Sequence, residues 1–276
     1  MQFLIKKENL LIAGIIVLFF MLFFANTKAP LAIKNKLDTT SNQISFEKII
    51  DEAKLSLPSD KKDIVIRIEN QLNKADNFQT VILLDSLLKI TLTLKERILT
   101  AYYTELLALK KQTPIIWLNA GNRFYTATTF AKEEYKPLLY KKAITCFVRL
   151  LAIDSTNITA KVNLAVCYVE SSNDPMQGIS ILKDVIKKDS LNVNAPFNLG
   201  VFAIQSGQYD KAITHFSRVL KIDSTYFEAY LYMAQAYENT GNKTKAIALL
   251  TQYASFVNDI TIKTEVQNYI NKLQTN

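Results

Sequence analysis

The sequence predicts an all-α protein built as an α-solenoid, a stack of short helical hairpins, with a hydrophobic transmembrane helix ahead of it and a capping helix at its end. Three observations support this fold class. The 276 residues are 49% apolar and include only 6 Gly and 6 Pro, which favours helices over a turn-rich β fold. Apolar residues recur at helical spacing along several segments. Similar segments also return at a step of about 34 residues, which indicates a repeated helix-turn-helix unit.

The first element is the stretch 10–25, LLIAGIIVLFFMLFFA, which has no charged or polar side chain. As a helix it would span about 24 Å, slightly less than the hydrocarbon core of a bilayer, about 30 Å. A signal peptidase requires small residues at positions −1 and −3. A cut after Ala25 would place Phe23 at −3, and a cut after Ala29 would be followed by proline. We therefore expect residues 1–27 to be an uncleaved anchor, with a cleaved signal as the alternative.

The charge near this end fits a membrane flank. The formal net charge is +8, and the five lysines and one glutamate of residues 1–36 supply half of it. Lysines stand on both sides of the hydrophobic stretch, so the positive-inside rule is almost balanced. A short tail ahead of a first hydrophobic segment usually stays inside. We therefore expect the repeats to lie outside the cytoplasm, at a bacterial inner membrane, after a linker over residues 28–44.

The repeated unit is clearest in residues 207–224, GQYDKAITHFSRVLKIDS, a predicted helix that ends at an Asp-Ser pair. Asp-Ser pairs also occur at 154 and 189, and the central Ala212 has small counterparts in the other units. The helix before each of these segments carries a small residue as well. On the first helices they are Gly121, Ala165, Gly200 and Ala234, and on the second helices Ala143, Gly178, Ala212 and Ala246.

Small residues at matched positions let two helices approach closely, and large residues then fill the space around the contact. The large residues are Phe124, Tyr168 and Tyr237 on first helices and Phe147, Leu182, Phe216 and Leu250 on second helices. Neither helix of a unit can bury its apolar stripe alone, so each hairpin is expected to stack on its neighbour.

This pattern resembles the tetratricopeptide repeat family. The resemblance rests on the 34-residue period, Trp117, NLG at 198–200, GQYDKA at 207–212 and the closing IDS. It covers residues 114–259 as four repeats, of which the third is the strongest match.

The chain departs from the family pattern at two places. Ser155, Ser190 and Ser224 stand where the family has proline, and an Asp-Ser turn is expected to cap the next helix equally well. The first repeat also has about ten extra residues between its halves. Either its first helix runs long or a loop lies near Lys136-Pro137.

Two further segments flank the four repeats. Residues 45–113 are predicted to be a helical region. It begins with either a degenerate repeat or a plain hairpin, whose apolar stripe includes Phe78, and a helix over 94–111 follows. Residues 260–276 are predicted to be a helix that caps the open end of the stack. Its apolar face carries Val266, Ile270 and Leu273.

The resemblance implies that the first helices line a concave face which captures a ligand, usually a peptide. Carried over by position, the partner-binding residues are Asn122, Tyr125, Val162, Val166, Val169, Phe197, Val201, Ile204, Leu231 and Gln235. The family's carboxylate-clamp subset uses Lys, Arg and Asn at such positions, whereas most of these are apolar, so we reject that mode. An exposed apolar face would bind an apolar peptide or helix. Alternatively, the helices of residues 46–111 curl over this face and cover it.

Catalysis and cofactor binding are not expected. His215 is the one histidine, and no Gly-rich phosphate loop, Walker-type lysine or G-x-S-x-G motif accompanies it. Cys146 and Cys167 do not have the spacing of a zinc site and are expected to be buried thiols, so we predict no metal and no cofactor. The chain also shows no basic helix or Arg cluster, which argues against nucleic acid as a partner.

These expectations lead to a membrane-tethered scaffold that binds another protein through its repeats and holds it at the membrane. Confinement by the anchor would raise the effective concentration of that partner. An envelope holding chaperone or assembly factor that presents unfolded chains, as in cytochrome maturation, is the alternative. Self-association into a homodimer is a third possibility, and the sequence does not identify the partner.

Overall fold

The computed structural model describes residues 44–171 and 175–275. These residues form thirteen α-helices and one 3-10 turn, and no strand occurs among them, so the all-α prediction is confirmed. No helix within these ranges is both long and apolar enough to cross a membrane. The predicted anchor over residues 1–27 and the predicted linker as far as residue 43 lie outside the described residues.

The helices fall into two compact units, an N-terminal unit that ends at Ser190 and a C-terminal unit that begins at Leu191. The N-terminal unit contains α1 (Phe46–Leu55), α2 (Ser59–Leu72), α3 (Asn77–Thr93), α4 (Arg97–Lys111), α5 (Pro114–Thr128), the 3-10 turn Glu133–Tyr135, α6 (Lys136–Ile153), α7 (Ile158–Glu170) and α8 (Pro175–Lys188). The C-terminal unit contains α9 (Asn194–Gln205), α10 (Tyr209–Ile222), α11 (Phe227–Asn239), α12 (Lys243–Phe256) and α13 (Ile260–Thr275).

Consecutive helices pack against each other in both units, as expected for stacked hairpins. The run extends from α2 to α8 in the N-terminal unit and from α9 to α13 in the C-terminal unit, and α1 packs onto α4. The cores lie between the helix layers. Fully buried side chains include Leu84, Tyr103, Phe124 and Phe147 in one unit and Phe216 and Tyr253 in the other.

The contacts of the glycines confirm the pairing of small and large residues. A Cβ built on Gly121 would lie 2.5 Å from Cε1 of Phe147, and one on Gly200 would lie 2.7 Å from Cε1 of Phe216. A Cβ on Gly178 would lie 2.4 Å from the carbonyl oxygen of Ala165. At these three positions any side chain would push the two helices of a hairpin apart.

The extra residues of the first repeat form a loop rather than a longer first helix. Helix α5 ends at Thr128, and the 3-10 turn Glu133–Tyr135 leads directly into α6, which begins at Lys136. The loop is held by α1, because Lys132 Nζ lies 3.0 Å from Oε2 of Glu52 and the Tyr135 hydroxyl donates to the same carboxylate. The loop alternative near Lys136-Pro137 is therefore the correct one, although these two residues already belong to α6.

Two local predictions are wrong. Phe78 is 75% exposed because the buried stripe of α3 runs through Thr80, Leu84 and Leu87 instead. The Asp-Ser turns at 154 and 223 also do not cap the next helix through their own side chains. Oδ1 of Asp154 accepts hydrogen bonds from the amide and hydroxyl of Thr156, at 3.1 and 2.7 Å, and Asn157 caps α7. The same aspartate–threonine turn recurs at Asp223 and Thr225.

Candidate functional site

Within the N-terminal unit, the predicted binding residues lie on α5 and α7. Asn163 Nδ2 donates to Oδ1 of Asn122 at 2.7 Å, and the Tyr125 hydroxyl donates to Oε1 of Glu170 at 3.1 Å. These bonds cross from α5 to α7 and fix the two side chains. Val162 and Val166 retain only 4% and 8% of their exposure. The expectation of an open apolar face is therefore wrong at these two valines, whereas Val169 is partly exposed.

Within the C-terminal unit, the predicted residues of α9 pack against an aromatic cluster. The ring centroid of Phe197 lies 5.7 Å from that of Phe216 and 4.9 Å from that of Tyr226. Val201 and Ile204 are partly buried against the same core. On α11, Leu231 is 5% exposed and belongs to the core, while Gln235 is partly exposed. The apolar members of this set thus have packing partners inside their own unit, and their role in binding stays a prediction.

The alternative prediction is that the helices of residues 46–111 cover this face. The contacts of α1, the first of these helices, show what it packs against. The Phe46 ring is 5.9 Å from the ring of Phe124 and 6.2 Å from that of Tyr102, and Lys142 Nζ lies 4.5 Å from its centroid. These contacts place α1 against α4, α5 and α6. Helices α2 to α4 continue the stack of hairpins.

The structure also forms a cleft that the sequence did not predict, which we call the basic cleft. It has a volume of about 380 Å³ and lies where the end of α3, the start of α4 and the second half of α5 meet. The side chains that line it are Leu92, Lys95, Arg97, Thr100, Asn119, Asn122, Arg123 and Thr126. Of the ten predicted residues, Asn122 is the one that lines the cleft.

A sequence signal for this cleft exists on α5. Asn119, Asn122, Arg123 and Thr126 follow the i, i+3, i+4, i+7 spacing of one helix face, and all four are polar. The opposite face of the helix is buried through Trp117, Ala120, Gly121 and Phe124. The polar stripe was visible in the sequence, but the residues that α3 and α4 bring to it were not.

A second cleft lies between α2 and α3. It has a volume of about 590 Å³ and contains none of the predicted binding residues. Its lining consists of Arg67, Asn70, Gln71, Lys74, Ala75, Gln79, Ile82 and Leu83.

A partly buried carboxylate joins three helices of the N-terminal unit. Glu170, at the end of α7, accepts hydrogen bonds from Tyr125 of α5 at 3.1 Å and from Tyr140 of α6 at 3.0 Å. Burial raises the pKa of Glu170, although both hydrogen bonds act in the opposite direction. Burial likewise raises the pKa of Tyr140 to about 12, so that its hydroxyl stays a donor at neutral pH. This arrangement has no signature in the sequence, because Tyr140 and Tyr125 lie 30 and 45 residues from Glu170.

The two cysteines are buried, as expected, and the histidine lies beside a core residue. Cys146 and Cys167 are free and buried in one core, and burial raises the pKa of Cys146 to about 12, which disfavours the reactive thiolate. His215 lies on α10 directly before the buried Phe216. No group of three or more His, Cys, Asp or Glu that could hold a metal ion occurs in the part of the chain that the structure describes.

Comparison with known proteins supports the same fold. Residues 203–260 match the family model of the tetratricopeptide repeat. The match covers the greater part of the third predicted repeat and the whole of the fourth. No curated protein matches the chain.

Two solved structures share the fold. A tetratricopeptide repeat protein from Parabacteroides merdae is 15% identical, with a TM-score of 0.56 over 83% of this chain and 87% of that one. PilW, described as a widely conserved type IV pilus biogenesis factor, is also 15% identical, with a TM-score of 0.53 over 80% of this chain and 96% of its own. At these identities the likeness shows the fold.

Proposed function

We propose that the chain is a membrane-tethered scaffold whose helical repeats bind a segment of another protein. The observation that carries this proposal is the basic cleft, since a recess of about 380 Å³ lined by convergent polar groups has the properties of a binding site. The shared fold with other tetratricopeptide repeat proteins supports a binding role rather than a catalytic one.

The proposed site extends from the basic cleft along α5. Asn119 is exposed there, and Asn122 is partly exposed and lines the cleft. The other predicted residues are Tyr125, Val162, Val166, Val169, Phe197, Val201, Ile204, Leu231 and Gln235. Because several of these are packed in their own cores, the polar residues of α5 carry the proposed contact and the apolar ones shape the helices beneath it.

Tethering is the proposed mechanism of action. Residues 10–25 would anchor the chain in a bacterial inner membrane, with the repeats outside the cytoplasm. A bound partner would then be confined to a thin layer at the membrane surface, which raises its effective concentration for further encounters.

A second candidate function is that of an envelope assembly factor that holds incomplete or unfolded chains. The likeness to PilW, a pilus biogenesis factor by its description, favours this candidate. The two functions differ in what they bind. A scaffold would have one stoichiometric partner, whereas a holding factor would bind many unfolded polypeptides weakly.

Site-specific photocrosslinking in intact membranes tests the proposal. A photoreactive amino acid at Asn119 faces the basic cleft, and the same group at Thr145, exposed on α6, serves as the matched control. We expect an adduct with one other protein at residue 119 and none at 145. Equal adducts at both sites, or none at either, would contradict a binding site on α5. An adduct with a second copy of the chain would instead indicate a homodimer, and a smear of many proteins would indicate the holding factor.

A further inference from the structure

We infer that the basic cleft is the docking site for an acidic segment of a partner polypeptide, whose carboxylates contact Lys95, Arg97 and Arg123. This inference rests on the proposed function and specifies the chemistry of the partner. It also revises the view from the sequence, in which no basic cluster was visible.

The composition of the lining favours a negatively charged ligand. Three of the eight lining side chains are cationic, four are neutral hydrogen-bonding groups and one is apolar, and none of those described is acidic. Positive charges that converge in a recess raise the local concentration of anionic groups more than the same charges on a flat surface do.

Among the described residues, none of the three cations lies within ion-pair distance of a carboxylate, although burial raises the pKa of the neighbouring Glu96 and the Arg97 charge opposes that shift. Elsewhere in the N-terminal unit, lysines are paired: Lys54 lies 2.9 Å from Glu69, and Lys142 lies 2.8 Å from Glu105. The ion pairs found over residues 44–171 and 175–275 include none with Lys95, Arg97 or Arg123. Glu96 thus acts on Arg97 from beyond ion-pair distance, and no described carboxylate lies within that distance of Lys95 or Arg123, so a ligand carboxylate can approach all three cations.

Arg97 is held in place for such a contact, and Arg123 is partly shielded from solvent. The Arg97 guanidinium carbon lies 3.7 Å from the centroid of the Phe130 ring, an arrangement that orients the group, and the Arg97 side chain is exposed. Arg123 is partly buried, and burial lowers its pKa because the charged form loses solvent. An incoming carboxylate would replace that lost solvation with a charge-assisted hydrogen bond.

Lys95 stands in a backbone conformation that normally belongs to glycine. Its φ is 57°, and the turn closes with a hydrogen bond from the Glu96 amide to the Thr91 carbonyl at 2.9 Å. The turns after α9 and α11 use the same conformation with Gly207 and Gly241, at φ of 72° and 79°. A residue with a Cβ is disfavoured there. The lysine side chain lines the cleft, so the strained position places a cation there.

An acidic polypeptide fits this cleft better than a nucleic acid does. A phosphodiester backbone requires cations along an extended track, whereas these three converge in one recess of about 380 Å³. Asn122 also suits a carboxylate. Its Oδ1 is occupied by Asn163 at 2.7 Å, which leaves its NH₂ group as a donor.

The test uses the full-length chain in a neutral detergent and a fluorescein-labelled deca-glutamate peptide, followed by fluorescence anisotropy at low ionic strength. We expect the peptide to bind and salt to weaken the binding, while a deca-lysine peptide does not bind. Lys95→Gly, Arg97→Gln and Arg123→Gln should each weaken binding about tenfold, the loss expected for one charge-assisted hydrogen bond.

Lys110→Ala is the matched control, because it removes one positive charge at the opposite end of α4, about 20 Å along the helix. An equal loss with Lys110→Ala, or no loss in the triple variant of the cleft, would overturn the inference. So would displacement of the peptide by inorganic phosphate at equimolar concentration, which would indicate a phosphate site.

The inference and the proposed function can fail separately. If the protein adduct at Asn119 persists unchanged in the triple variant of Lys95, Arg97 and Arg123, the scaffold function stands and the acidic chemistry is wrong. If deca-glutamate binds as expected but no adduct forms in membranes, the cleft binds acidic polypeptides as inferred and the proposed scaffold function is wrong.

Discussion

The two units use the same hairpin design, yet they differ in how strictly they follow it. In the C-terminal unit the turns after α9 and α11 carry glycine, and residues 203–260 match the tetratricopeptide repeat model. In the N-terminal unit the turn after α3 carries Lys95, a loop interrupts the first repeat, and α1 packs against the helices. The regular C-terminal unit shows which features are sufficient for the repeat to fold. The irregular N-terminal unit carries the basic cleft.

Buried polar groups follow the same division. Among the described residues, the buried polar and charged side chains all lie in the N-terminal unit: Thr80, Thr91, Thr100, Thr104, Glu105 and Thr128. Several are satisfied locally, as Thr91 and Thr104 are by carbonyls of the preceding turn. The described core of the C-terminal unit consists of apolar and tyrosine side chains, so the buried threonines and Glu105 of the other unit do not follow from the repeat design.

The largest expected effect concerns the cores that both units share. Phe147→Ala and Phe216→Ala should each lower the free energy of unfolding by about 3–5 kcal/mol, because each removes a fully buried ring that fills the space beside a glycine. Chemical denaturation measures both. Phe78→Ala, at a 75% exposed ring, should cost less than about 0.5 kcal/mol. Similar losses at all three positions would contradict the division between core and surface.

A smaller effect is expected from the close helix contacts. Gly200→Ala should destabilise the chain by about 1–3 kcal/mol, because its Cβ would lie 2.7 Å from the buried Phe216 ring. Gly121→Ala should behave alike, with a Cβ 2.5 Å from Phe147. Thermal unfolding of both variants checks whether the two units are packed equally tightly. A neutral result at either site would mean that the hairpin there can open without cost.

The left-handed turns of the two units can be compared by exchanging lysine and glycine between them. Lys95→Gly should raise the free energy of unfolding by about 1 kcal/mol, because it relieves a left-handed conformation. Gly241→Lys should lower it by a similar amount, since no neighbouring atom lies within 4 Å of an added Cβ and strain is the main cost. Differential scanning calorimetry compares the two. A loss of stability in Lys95→Gly would show that the lysine is required by the fold rather than tolerated for its charge.

The smallest effect concerns pH. Burial raises the pKa of Glu170 in the folded state, so the folded chain holds this proton more tightly than the unfolded chain. Its stabilising contribution is complete below the unfolded pKa, near 4.5, and is lost as pH rises through the folded value. The difference in melting temperature between wild type and Glu170→Gln should therefore move in favour of the variant between about pH 4 and pH 7. A difference that does not change with pH would show that the carboxyl titrates normally.

The sequence predicted the stacked helical hairpins because their residue pattern is periodic. Gly121 and Phe147, or Gly200 and Phe216, stand at repeated positions, and their contact follows from the helical period alone. The face of α3 was predicted wrongly at Phe78, because Thr80 and Thr91 are polar residues in a buried stripe and hide its phase.

The candidate site was harder to predict because its parts come from different elements. Lys95 follows α3, Arg97 begins α4 and Arg123 lies in the second half of α5, and only the packing of these helices brings them together. The pattern of apolar residues on α5 predicted the buried face correctly, whereas of the polar face opposite it only Asn122 was predicted to bind. The left-handed turn at Lys95 has no signature of its own, since the sequence marks such turns by glycine at Gly207 and Gly241 but not at Lys95 or Gln112.

One measurement tests most directly whether the irregular unit carries the binding site. The yield of the protein adduct at Asn119 is compared in membranes between the wild-type chain and Lys95→Gly, with the melting temperature recorded in the same preparations. We predict a lower adduct yield together with a higher melting temperature, a combination that misfolding cannot produce. An unchanged yield in the more stable variant would contradict the account, because the charge that lines the cleft would then play no part in binding.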